Sequence, residues 1–355
     1  MPDLRSRRDA LRALSAGALA LPLAGLLLDA PAAQTPPAAP ADPSPALPVL
    51  HPPRLRYGDT IGLAAPAGVL RGPEQVERAA QTLRAMGFEV RVGQHVLARH
   101  GFLAGTDQQR ADDLMTLFED ERVRAIVCMR GGWGCARMLP LLDYEAIRAH
   151  PKAVVGYSDV TALLLALYAR AGLVSFHGPV GISSWGGLTE ASFLDTLVRG
   201  RTLRLEGDTA PRRLPVQTVR GGIAEGRLVG GNLTVAAALA GSPFLPSFDG
   251  HVVFFEEVRE EPYRLDRLLT QLALSGHLRR VAGVVFGQCE RCTGDAMPEW
   301  SAEDVLRDHL AATGAPAWIG APIGHVSPVY TVPVGVMARM DAFAGTLETT
   351  EPAVS

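Results

Sequence analysis

Lysine and asparagine are nearly missing from this chain. Lys152 is the one lysine among 355 residues and Asn232 the one asparagine. Arginine therefore carries the positive charge, in an Ala- and Gly-rich composition that reads as GC-biased codon usage. Excess charge is missing too: 34 Lys and Arg face 37 Asp and Glu, a formal balance of -3. A protein that grips phosphates carries a distinctly basic domain. No such block occurs, so no nucleic-acid partner is expected. There is no His-Glu-x-x-His and no paired histidine on one helix face, so no metal is expected. No glycine-rich run ends in Lys-Ser/Thr, and Gly62 to Gly68 is not G-x-G-x-x-G, so no cofactor is expected either. Cysteine is scarce, and none of the four precedes Cys128, which excludes a lipid-modified N-terminal cysteine.

What is present is a globular composition, 47% hydrophobic, long enough for about two domains. Residues 1–33 read as an export signal. Ser6-Arg7-Arg8-Asp9-Ala10-Leu11-Arg12 is a twin-arginine pattern, and Ala30-Pro31-Ala32 supplies small residues for cleavage near Ala32-Ala33. The apolar run between them, Ala13 to Leu28, has 16 residues, short of the ~20 that span a bilayer; the alternative is an uncleaved anchor. Membrane contact is thus expected only transiently, through the signal, and the mature protein is expected in the periplasm. Residues 34–53 form a Pro/Ala-rich linker that favours extended backbone.

From Arg54 onward, short buried strands alternate with amphipathic helices, which implies a mostly parallel sheet covered on both faces. The pattern holds to about residue 200. Residues 190–218 look irregular and arginine-rich, and 201–218 are expected as an interdomain linker. The expected fold class is α/β: an N-terminal parallel-sheet α/β domain (54–200) with a nucleophile elbow, and a smaller C-terminal β-rich α+β domain (219–350).

Chemistry is most legible in Val154-Val155-Gly156-Tyr157-Ser158-Asp159-Val160-Thr161. A buried strand ends at a glycine, passes a serine and enters a helix, the geometry of a nucleophile elbow. The competing reading is that Ser158 or Asp159 simply caps the helix. A serine nucleophile needs a base and an orienting acid. His325 and His177 both follow strands, and Glu256 and Glu257 both end the apolar run from His251; order alone does not choose among them. Cys289-Glu290-Arg291-Cys292 reads as a local disulfide or as two unrelated thiols, because the helical context of a redox motif is missing.

Seven motifs stand in one order: Gly58-Asp59, Arg130-Gly131-Gly132-Trp133-Gly134, Gly156-Tyr157-Ser158-Asp159, His177-Gly178-Pro179, Gly230-Gly231-Asn232-Leu233, Phe255-Glu256-Glu257 through Glu261-Pro262-Tyr263-Arg264, and Gly324-His325. Together they resemble the LD-carboxypeptidase (muramoyltetrapeptide carboxypeptidase) family of serine peptidases, which includes the microcin C self-immunity peptidases. The resemblance spans about Leu55 to Thr349. It implies Ser158 as nucleophile, Glu256 as acid and His325 as base, with Glu257 the weaker acid candidate. It implies a backbone oxyanion hole from Asp159 with Gly131 and Gly132. Trp133, Asn232 and Tyr157 are the expected substrate contacts. The implied reaction is hydrolysis of the L,D-amide before the terminal D-Ala of a murein tetrapeptide, through an acyl-enzyme, in a protein expected as a homodimer. The alternatives are a self-immunity peptidase acting on a peptidyl nucleotide, with Trp133 or Trp185 against the base, and a non-catalytic muropeptide-binding protein.

Overall fold

The computed structural model describes residues 47–207, 214–293 and 299–355. The export signal and most of the 34–53 spacer lie outside these residues. The end of that spacer is docked rather than free. Leu50 bridges Leu173, with its N–H on the Gly172 carbonyl, and Pro52 and Arg54 hydrogen-bond the C-terminal Ser355. Among the prolines, Leu50 is an apolar side chain that packs on the core, which outweighs the local extended preference.

The first half builds β1 (Thr60–Ala64), α1 (Pro73–Ala85), β2 (Glu89–Val92), α2 (Asp107–Glu119), β3 (Val123–Cys128), α3 (Cys135–Met138), α4 (Tyr144–Ala149), β4 (Ala153–Gly156), α5 (Thr161–Ala171), β5 (Ser175–His177) and α6 (Gly187–Leu197). Local sequence explains most of these. Pro73 opens α1 where its missing N–H is harmless. Val76, Ala79, Ala80 and Leu83 then recur at helical spacing and are buried. Thr106 and Gln109 form a reciprocal capping box at the start of α2. α5 is buried on nearly every face, as its run Thr161-Ala-Leu-Leu-Leu-Ala-Leu requires. Ala125–Cys128 of β3 and Ala153–Gly156 of β4 are buried apolar runs, as suits strands in the middle of a covered parallel sheet.

The second half builds β6 (Arg204–Glu206), β7 (Gln217–Arg220), β8 (Ile223–Asn232), α7 (Leu233–Ala238), β9 (Val252–Val258), α8 (Pro262–Leu274), β10 (Gly283–Glu290), α9 (Ala302–Ala312), β11 (Ala317–Ile319), β12 (Val332–Val334), β13 (Met337–Asp341) and β14 (Thr346–Thr349). Two sheets result. The six-stranded sheet runs β12-β5-β4-β3-β1-β2, parallel except for β12. The eight-stranded sheet runs β6-β14-β13-β8-β9-β10-β11-β7. Its four central strands, β8 to β11, are parallel, and the flanking pairs are antiparallel.

Three features depart from the sequence expectation. Helix α6 occupies part of the stretch read as irregular; Thr189, Phe193, Leu194, Thr196 and Leu197 form its buried side. Helix α4 begins at Asp143, whose carboxylate caps the N–H groups of Glu145 and Ala146. The expected 201–218 linker contains β6 and the start of β7, both edge strands of the second sheet.

Both sheets aim the carboxyl ends of parallel strands at loops that bear chemistry. In open α/β sheets that edge, at the point where strand order reverses, is where ligands bind. Order β2-β1-β3-β4 puts the reversal between β1 and β3.

Candidate active site

Strand β4 ends at buried Gly156, Tyr157 is extended, and Ser158 turns to φ +64° before a 3-10 turn feeds α5. A non-glycine residue at positive φ is uncommon and strained, and strain of this kind gathers at functional turns. Neither Ser158 nor Asp159 caps the helix that follows. Instead a carboxylate oxygen of Asp159 accepts the Cys135 N–H at 2.9 Å, tying the elbow to the loop after β3. Burial pushes the Asp159 carboxyl up, opposed by the Cys135 and Gly134 N–H groups and the Arg110 charge. Gly131 of that same loop closes on the serine. A Cβ there would sit 2.7 Å from Ser158 Cβ and 2.9 Å from its Oγ, so only glycine fits. Gly132, at φ +124°, follows it.

The acid and base come from the second sheet. Asn232 ends β8 and lies in register with Glu256 on β9. Glu256 is fully buried, and its Oε2 lies 2.8 Å from His325 Nδ1. Gly324, at φ +132°, lets the His325 loop come this close: a Cβ there would be 3.0 Å from Glu256 Oε2. Burial favours a protonated Glu256, but the charge and hydrogen bond of His325, with His177 and Asn232, outweigh it and hold the carboxyl below its usual range. Burial likewise favours neutral His325, yet Glu256 and Glu257 outweigh it and raise the imidazole above its usual value.

Glu257 faces away from His325. Its oxygens accept from the Asn232 amide at 2.9 Å, the Thr234 N–H at 2.8 Å and the Val258 N–H at 2.9 Å, at the start of α7. Burial and the neighbouring Glu256 charge raise its pKa. Asn232, expected at the substrate, is buried with every polar atom of its side chain engaged. Its amide donates to Glu256 and Glu257, and its Oδ1 accepts the Val235 N–H. It braces the two carboxylates.

Tyr157 lies between the halves of the site, its ring centroid 4.9 Å from His325 and 5.9 Å from His177. Tyr157 thus adjoins both Ser158, the next residue of the chain, and His325; no hydrogen bond joins Ser158 to His325 among the described residues. Catalytic hydrogen bonds often tighten only once substrate is bound. His177, the other candidate base, is 1% exposed, packed on Tyr157 and Phe254, and pulled down to about 4 by burial. Neither of its ring nitrogens has a described partner. Trp133 stands exposed beside Gly132, edge-on to Phe102 at 6.0 Å. Trp185 packs on Phe193 and donates to the Val180 carbonyl.

Cys289 and Cys292 are joined by a disulfide at the end of β10, with Cys289 in register with Glu257. The described residues contain no cluster of potential metal ligands. Sequence reasoning missed the Asp159–Cys135 tie, since nothing in the sequence pairs those two residues.

Residues 61–178 match the LD-carboxypeptidase N-terminal domain, and residues 225–340 match the LD-carboxypeptidase C-terminal domain. The murein tetrapeptide carboxypeptidase of Pseudomonas aeruginosa is 33% identical over 289 residues, covering 79% of this chain and 92% of that protein. The microcin C7 self-immunity protein MccF of Escherichia coli is 29% identical over 320 residues, covering 81% and 92%. A structure of MccF in complex with glutamyl sulfamoyl guanosine superposes with TM-score 0.77 at 28% identity, over 86% of this chain and all of that one. The muramoyltetrapeptide carboxypeptidase of Oxalobacter formigenes superposes with TM-score 0.72 at 29% identity, over 81% and 97%.

Proposed function

The chain belongs to the LD-carboxypeptidase family, and from that premise we propose that it is a serine peptidase releasing the terminal D-Ala of murein tetrapeptides. The observation that carries the reading is the pairing of a serine at φ +64° on a strand-to-helix turn with a histidine held 2.8 Å from a buried carboxylate. In this reading the Ser158 hydroxyl attacks the carbonyl of the L,D-amide. Neutral His325 takes its proton through Nε2, because Nδ1 is engaged by Glu256. Glu256 fixes the tautomer and stabilises the imidazolium. Backbone N–H groups of Asp159 and the Gly131-Gly132 turn receive the oxyanion. One such donor is worth about 3–4 kcal/mol of barrier. His325 then protonates the departing D-Ala amine, a bond breaks to leave the acyl-serine, and water repeats the sequence to release tripeptide.

The twin-arginine pattern supports export, so the substrate would be met in the periplasm as stem peptides or their fragments. The MccF likeness supports a second reading, cleavage of an aminoacyl nucleotide. One assay separates them: purified protein is given murein tetrapeptide beside an aminoacyl adenylate analogue. Release of D-Ala, lost in Ser158→Ala, is the expected result. Cleavage of the adenylate alone favours the second reading, and tight binding of tetrapeptide without turnover would reduce the protein to a binding role.

A further inference from the structure

A peptidase that removes one residue from a chain end has a charge to recognise that an endopeptidase does not: the free carboxylate one residue beyond the scissile bond. The acid and base side of the site is rich in carboxylate. A cation lies against the glycine loop that closes on Ser158.

Arg130 follows β3, at the strand-order reversal between β1 and β3. The loops after these two strands meet there, with the Gly68 N–H donating to the Gly131 carbonyl at 3.3 Å. The half-buried guanidinium lies across the junction. Its Nε donates to the Gly131 carbonyl at 3.1 Å and its Nη1 to the Val69 carbonyl at 2.9 Å. Both acceptors are neutral. No described carboxylate pairs with Arg130, whereas Asp107 neutralises both Arg110 and Arg137 nearby. Three of its five N–H groups are left over, including both on Nη2.

Missing side chains clear the space beside it. A Cβ on Gly68 would lie 3.3 Å from the guanidinium Nε, and one on Gly132 would lie 3.8 Å from Nη2. A Cβ on Gly131 would lie 2.9 Å from Ser158 Oγ. The serine hydroxyl and the guanidinium therefore border consecutive glycines, whose Cα atoms are about 3.8 Å apart. A planar fork of N–H groups matches a carboxylate in a way that a point charge does not.

We propose that Arg130 binds the terminal carboxylate of the peptide and so restricts cleavage to a chain end. The proposal rests on the peptidase reading above and names the specificity residue within it. Arg259, a cation on the side of the base, acts on His325 instead, favouring its neutral form, and serves as the control.

The test measures binding and turnover of two probes, a murein tetrapeptide ending in D-Ala and the same peptide amidated at its C-terminus. In a Ser158→Ala background, calorimetry should show the free acid binding about 10- to 100-fold tighter than the amide. Adding Arg130→Ala should collapse that ratio to near one, Arg130→Lys should leave it reduced, and Arg259→Ala should preserve it. In the active enzyme the acid-to-amide ratio of kcat/KM should follow the same order. A purely structural Arg130 would weaken both probes alike, so an unchanged ratio in Arg130→Ala overturns the proposal. Should that variant not fold, an undiminished ratio in Arg130→Lys overturns it equally. Binding of both probes alike, or of neither, by the Ser158→Ala protein also overturns it. Discrimination without D-Ala release leaves the anchor standing and removes the peptidase reading. D-Ala release without discrimination does the reverse.

Discussion

Replacing Glu256 with Gln keeps the size of the side chain and removes its charge. At 2.8 Å, a carboxylate and an imidazolium attract by about 6 kcal/mol at an effective dielectric of 20. Burial of both partners offsets part of this, so the figure is a ceiling, equivalent to about 10^4 in rate. Removing the orienting acid of a Ser-His-Asp triad has a comparable effect, about 10^4 in kcat. Glu256→Gln is therefore expected to lower kcat by about 10^3 to 10^4. The pH profile should move as well. His325 acts as base only when neutral, and Glu256 raises it above its ordinary value of 6.5. The rising limb of kcat/KM in the native enzyme should thus lie above pH 6.5. Without Glu256, burial, already the largest influence on His325, loses its main opponent, and the limb should fall toward more acid pH. The assay is D-Ala release across pH by both proteins. A Gln variant within tenfold of native kcat, or a limb that stays in place, would refute the pairing as the working dyad.

Gly131→Ala puts a methyl 2.9 Å from Ser158 Oγ, so kcat for D-Ala release should drop at least ~100-fold. Asn232→Ala strips one donor from two buried carboxylates and should destabilise the fold by about 1–3 kcal/mol in urea titration, with Asn232→Asp worse. The Glu256–His325 pair should stabilise the fold fully between their ordinary values, 4.5 and 6.5. That contribution is lost as pH falls through the lowered Glu256 pKa and as it rises through the raised His325 pKa. His325→Ala should accordingly lose more stability at pH 5.5 than at pH 9, and an equal loss at both would contradict the shift. The Cys289–Cys292 bridge closes a very short loop, so a double Ser variant should lose at most about 2 kcal/mol and keep D-Ala release.

Much of the first sheet was legible because the cores of β1, β3 and β4 are buried apolar runs. Helix α6 was not, because two glycines precede its periodic part and threonines fill some of its buried positions. The antiparallel return of β12 onto β5 was not either, since periodicity fixes a strand but not its partner. At the site, the strand–Gly–x–Ser–helix pattern marked the elbow, but only the backbone angle of Ser158 separates it from a helix cap. Glu256 and Glu257 look equivalent in sequence. Successive strand residues face opposite ways, so one meets His325 and the other caps α7. Order alone left His325 and His177 open and the resemblance pointed to His325; in the structure His325 has a carboxylate partner, while His177 is enclosed and held neutral. Arg130 stood within the Arg130–Gly134 motif, but its place there gave no sign that its guanidinium lies on the Gly131 and Val69 carbonyls.

The central claim is covalent catalysis by Ser158. Acid-quenching the enzyme during turnover of a murein tetrapeptide, followed by mass spectrometry of its peptides, tests it directly. The account predicts a tripeptidyl ester on the peptide containing Ser158, absent from Ser158→Ala along with D-Ala release. Continued D-Ala release by Ser158→Ala, or an adduct on a different residue, would contradict it.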